Sequence, residues 1–128
     1  MASFAQNPGP QRMPVTTAGT YLNFDLAAEI EKLRHEPAYE SGRNAKTIVK
    51  YEDFRIVLTA IERGTHIQEH HSAGRISVQT VAGHIRMGAL DREFDLPQGQ
   101  VLVLDRDVRH DVEALEDSAF LLTVAWPR

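Results

Sequence analysis

The chain has 128 residues, 42% of them apolar and 25% charged, which is the make-up of a single soluble globular domain and excludes a two-domain enzyme. Its 14 basic and 18 acidic residues give a net charge of -4, evenly mixed, which argues against nucleic acid and anionic membrane as partners. With no cysteine, thiol catalysis, thiolate zinc sites and a disulfide framework are all excluded.

The first fourteen residues, MASFAQNPGPQRMP, hold three of the six prolines and lack the basic start and apolar run of a signal peptide. Residues 1–20 read as a flexible arm. No apolar stretch approaches the roughly 20 residues of a membrane span; the longest, Ala119 to Trp126, is interrupted by Thr123. A soluble, cytoplasmic protein is expected. In the next segment, 21–41, Leu26, Ile30 and Leu33 recur at helical steps, with Glu29, Glu31, Lys32 and Arg34 on the other side. Asp25 is suited to cap this amphipathic helix, and Pro37 disfavours helical geometry before it.

From Gly42 onward the period changes to two, with β-branched enrichment. KTIVKY, FRIVLTAI, RISVQTV, HIRMGAL, REFDL, QVLVL, HDVEAL and SAFLLTVAW read as eight short strands, separated by turn formers such as Arg63-Gly64, Ala82-Gly83 and Pro97-Gln98-Gly99. Strands at this spacing without intervening helices predict an all-β sandwich, jelly roll or barrel over 42–128 and exclude a parallel α/β fold.

The histidines cluster. His66, His70 and His71 lie in one extended stretch, and His110 follows the turn Asp105-Arg106-Asp107. Side chains two apart share a strand face, which puts His66, Gln68, His70 and Ser72 on one side and Ile67, Glu69 and His71 on the other. In the same way His110, Val112 and Ala114 face the core while Asp111 and Glu113 face water. A buried imidazole left unpartnered costs on the order of 1–3 kcal/mol, so His110 must hydrogen-bond, titrate low or coordinate a metal.

Gly64, His70 and Gly83 stand at the spacing of the first cupin motif, G-x5-H-x-H-x3-E-x6-G, and Gly99 and His110 at that of the second, G-x5-P-x-G-x2-H-x3-N. From about residue 42 to 126 the chain therefore resembles a single-domain, RmlC-like cupin. The resemblance implies a double-stranded β-helix, the cupin jelly-roll barrel, here with one N-terminal α-helix; it also implies a homodimer. It further implies a metal held by two histidines and a glutamate of the first motif and the histidine of the second. His70 and His110 match. Ser72 stands at the second histidine and Ile76 at the glutamate, while Asp105, Asp107 and Ala114 replace the proline, glycine and asparagine of the second motif.

Two site chemistries follow. His70 and His110, joined by His66 on the same face or by His71 through a shift of register, can hold zinc, iron, manganese, nickel or copper, with an open position for a small-molecule substrate. Glu69, Asp111 and Glu113 should point outward, which disfavours a two-histidine, one-carboxylate iron site. Alternatively the barrel binds a small molecule without metal, Gln68, Ser72, His70 and His110 supplying polar groups and Ile76, Val78 and Val112 an apolar wall. An inert core is the third reading. Tyr21, Tyr39 and Tyr51 all precede the histidine motifs, so an epimerase with a barrel tyrosine as its acid is disfavoured. No organic cofactor is expected, and the reaction, if any, is left open.

Overall fold

The computed structural model describes residues 20–127, so the arm expected over 1–20 lies outside the described residues except for Thr20. The helix α1 runs Leu26–His35. The Asp25 carboxylate accepts the Ala28 N–H at 3.1 Å, and a 3-10 turn, Pro37–Ser41, begins at the proline that stops the helix. Ile30 and Leu33 are buried against Leu58, Ala60 and Ala119, so the helix covers the outer face of a sheet. Polar ties fix its position: Lys46 Nζ lies 2.7 Å from Glu29, and Asn44 Nδ2 donates to the Leu33 carbonyl at 3.0 Å. Lys46 thereby belongs to the helix contact.

Among the described residues nine strands follow: β1 Arg43–Lys50, β2 Phe54–Ile61, β3 His66–His70, β4 Arg75–Ala82, β5 His84–Ala89, β6 Arg92–Pro97, β7 Val101–Leu104, β8 His110–Ala114 and β9 Ser118–Ala125. Eight match the alternating runs. The ninth is β3, whose polar sequence His-Ile-Gln-Glu-His shows no clean alternation. All pairings are antiparallel, in a five-stranded sheet ordered β1-β2-β9-β4-β7 and a four-stranded sheet ordered β3-β8-β5-β6.

The inward faces of the two sheets form one core. Val57, Ile61, Ile76, Val78, Phe120, Leu122 and Val124 come from the first sheet, and Ile67, Ile85, Met87, Leu96 and Val112 from the second. Phe120, at its middle, is fully buried. Gly83, the last glycine of the first motif, has a φ of 80°, and a Cβ there would run into Ser118 and the Asp117 carbonyl, so the close approach of the β4–β5 turn to β9 requires glycine.

Candidate functional site

β3 departs from simple alternation, and the candidate site depends on that departure. Ile67 pairs with Val112 and His70 with His110, so three steps along β3 oppose two along β8. The extra residue is a β-bulge, and it reverses which face each side chain takes. Ile67 and His70 both turn inward as a result, whereas strict alternation predicts opposite faces for them. His66 and Gln68, expected on the inner face, are exposed. His71 is exposed as well, so the register shift that could have brought it inward does not occur there. Of the four histidines named as ligands, the structure brings together His70 and His110.

Those two are cross-strand neighbours, with ring centroids 4.3 Å apart and planes at 71°. His110 is 2% exposed and follows Val108, whose carbonyl accepts its Nδ1–H at 2.9 Å; His70 Nδ1–H donates to the Gln68 carbonyl at 2.7 Å. A carbonyl can only accept, so both neutral rings carry their proton on Nδ1 and leave Nε2 unprotonated. Both Nε2 atoms are buried, and that of His110 has no hydrogen-bond partner among the described residues. Burial pushes the His70 pKa down to about 4, and burial likewise lowers that of His110. Of the three fates open to a buried histidine, these titrate low, and each ties one nitrogen to the main chain.

The second motif builds the turn that positions His110. Asp107 occupies the motif's glycine place with a φ of 63°, a conformation that aspartate tolerates better than most residues. Its N–H donates to the Ser72 carbonyl at 2.8 Å, joining the two motifs. Asp105 accepts from Arg106 N at 2.8 Å and from Arg75 Nη2 at 3.1 Å, which hold its carboxyl below the usual range.

The positions that would complete a cupin metal set do not supply donors. Ser72 is 2% exposed, and its Oγ accepts the Gly74 N–H at 3.1 Å; Ile76 is 3% exposed within the apolar core. Val78 and Val112 are core as expected, and Gln68 lines the outside of the barrel. Among the described residues no group of three or more His, Asp or Glu side chains is placed to hold a metal ion. Two imidazoles fall short of the three protein ligands of a catalytic metal centre, so the residues present do not fit the metal that the motifs imply.

His66 takes part in a different arrangement, on the outer face of the four-stranded sheet. Its Nε2 lies 2.5 Å from Asp111 Oδ2, and Asp111 Oδ1 accepts the Gly88 N–H at 3.0 Å. A Cβ at Gly88 would collide with that carboxylate. These residues line an open groove of about 1020 Å³ together with Glu69 and Arg109. Alternation along β8 does put Asp111 outside; that His66 would meet it there depends on the bulge.

The two packed antiparallel sheets match known structures. A conserved protein of unknown function from Streptococcus pyogenes superposes with a TM-score of 0.72 at 20% identity, over 91% of this chain and 97% of that one. The fold is that of the cupins. An RmlC-like cupin protein from Desulfovibrio desulfuricans matches 89% of this chain and 97% of its own at a TM-score of 0.62 and 20% identity. Salicylate 1,2-dioxygenase from Pseudoaminobacter salicylatoxidans matches 80% of this chain and 32% of its own at 0.71 and 14%. No family model and no curated protein sequence matches the chain. Within this cupin barrel, among the described residues, no helix is long and apolar enough to cross a membrane.

Proposed function

We propose that the His70/His110 end of this cupin barrel binds a small molecule directly, without an intervening metal, using His110 Nε2 as a neutral acceptor for a donor group of the ligand. The observation that carries this reading is His110 Nε2, which is buried, unprotonated and unpartnered among the described residues. An orphaned acceptor in an otherwise apolar interior is costly unless a ligand or water satisfies it. A neighbour of the same fold is an enzyme named for a small molecule, salicylate, which accords with this class of ligand.

Metal content decides between this reading and the divalent-metal site that the motif spacing raises. Untagged protein and its His110→Ala variant, purified without chelator or immobilised-metal resin, are measured by inductively coupled plasma mass spectrometry, as isolated and after incubation with iron, manganese, zinc, nickel and copper. Substoichiometric metal throughout is expected. Near-stoichiometric metal in the parent that disappears in the variant overturns the metal-free reading.

A further inference from the structure

The outer face of the four-stranded sheet carries a histidine arrangement of its own, which does not depend on the direct-binding reading above. Asp111 is fixed from behind: its Oδ1 accepts the Gly88 N–H at 3.0 Å, and its cross-strand partner Gly88 leaves room for the carboxylate only because it has no Cβ. Its Oδ2 takes the His66 Nε2–H at 2.5 Å. A carboxylate can only accept, so the neutral imidazole carries its proton on Nε2 and leaves Nδ1 as the basic nitrogen, which no described residue occupies. The other two exposed histidine–carboxylate contacts lack this support. His84 lies 3.3 Å from Asp95, whose side chain is 70% exposed, and His35 Nδ1 is engaged by the Glu31 carbonyl one turn back on the helix.

Both members of the pair line the open groove of about 1020 Å³, and both remain part-exposed there. Gly88, between Asp111 on β8 and Glu93 on β6, contributes no side chain to its floor. The rim includes the β5–β6 turn, in which Leu90 and Asp91 have φ of 55° and 59°. Leucine seldom adopts that conformation, and here its side chain is 63% exposed, so packing of Leu90 does not account for the turn. Carboxylates outnumber guanidiniums by five to two along the groove. Arg109 already meets Glu69 at 3.6 Å and Arg92 lies over the Phe94 ring, whereas Asp91 and Asp107 form no ion pair among the described residues. The groove therefore favours a cationic ligand over an anionic one.

We infer that this groove hydrolyses esters that carry an ammonium group, with His66 as the general base and Asp111 as its positioning residue. A base held by an orienting carboxylate, with its second nitrogen open to a groove, is the arrangement that activates a water. The water oxygen bonds to the ester carbonyl carbon as its proton passes to His66 Nδ1. The imidazolium, its Nε2–H kept on Asp111, then returns that proton to the alcohol oxygen as the carbon–oxygen bond breaks, leaving acid and alcohol. Gln68, two residues along the same outer face and in the same groove, offers its amide N–H to the carbonyl oxygen.

The test gives the full chain the para-nitrophenyl esters of glycine, acetic acid and succinic acid, which present a cation, no charge and an anion before one leaving group. Release of nitrophenolate is compared with the uncatalysed hydrolysis of each ester and with free imidazole at the concentration of the protein. The parent is expected to outpace free imidazole, with kcat/KM over the uncatalysed rate falling from the glycine to the acetyl to the succinyl ester. His66→Gln should lower kcat/KM roughly a hundredfold while keeping the melting temperature of the parent, because an exposed ion pair adds little to stability. Added imidazole should restore turnover to His66→Ala. On the uncharged acetyl ester Asp111→Asn should lower kcat and leave KM unchanged, since Asp111 acts through the imidazole, and the parent should slow in heavy water. A parent no faster than free imidazole, or His66→Gln as fast as the parent, reduces the pair to a surface ion contact and overturns the inference. A rate unchanged in heavy water overturns the general-base role, and preference for the succinyl ester overturns the substrate class.

Discussion

Mild acid should destabilise this barrel through its two inward histidines. The ordinary pKa of a histidine is 6.5, and burial lowers that of His70 to about 4 in the folded protein. Between these values the unfolded chain takes up a proton that the fold refuses. The contribution is therefore fully present above about pH 6.5 and is lost as the pH falls toward 4. Integrated from pH 7 to pH 5, a shift of this size costs about 1.8 kcal/mol. His70 is only part-buried, and solvent screening brings its share to on the order of 1 kcal/mol. His110 acts in the same direction. Urea unfolding followed by the fluorescence of Trp126 measures the free energy at both pH values, for the parent and for His70→Gln. Comparing each protein with itself removes the packing cost of the substitution. The variant should lose less stability than the parent between pH 7 and pH 5, by about 1 kcal/mol. Equal losses would refute the argument, because they would place the acid sensitivity elsewhere.

Two core and surface substitutions test the physical reading of the fold. Thr59 alternates with Val57 and Ile61, and its buried Oγ1 has no hydrogen-bond partner among the described residues, so Thr59→Val should raise unfolding stability by about 1 kcal/mol in urea titrations; a loss would mean that the hydroxyl is satisfied in solution. Gly88→Ala sets a Cβ against the Asp111 carboxylate and breaks its bond to the Gly88 N–H, which should cost roughly 1–3 kcal/mol in thermal unfolding and shift the His66 ring resonances; an unchanged melting temperature would contradict the close packing described for this strand pair.

Local chemistry made much of this protein legible in one dimension. Asp25 and Pro37 bound the helix because a cap and a φ restriction act within a few residues. Eight strands and the two-sheet fold follow from side chains that alternate every second residue, and the glycine-to-histidine spacing singled out His70 and His110 because turn and strand lengths are local quantities. Which partners those side chains meet was decided by the tertiary structure. A single extra residue in β3 sends His66 and Gln68 outside, where His66 meets Asp111, and turns His70 toward His110. No periodicity shows a bulge whose register is set by a strand some forty positions away. The same holds for Arg55: an arginine at the head of an apolar run looks like a solvated strand end, and only the pairing of β2 with β9 places it on the face of Val57 and Ile61, with its guanidinium 5.1 Å from the centroid of the Trp126 ring. The sequence by itself determined the elements and the two inward histidines, because propensity and spacing are short-range; the chemistry around them depended on long-range register, which exists only once the sheets have closed.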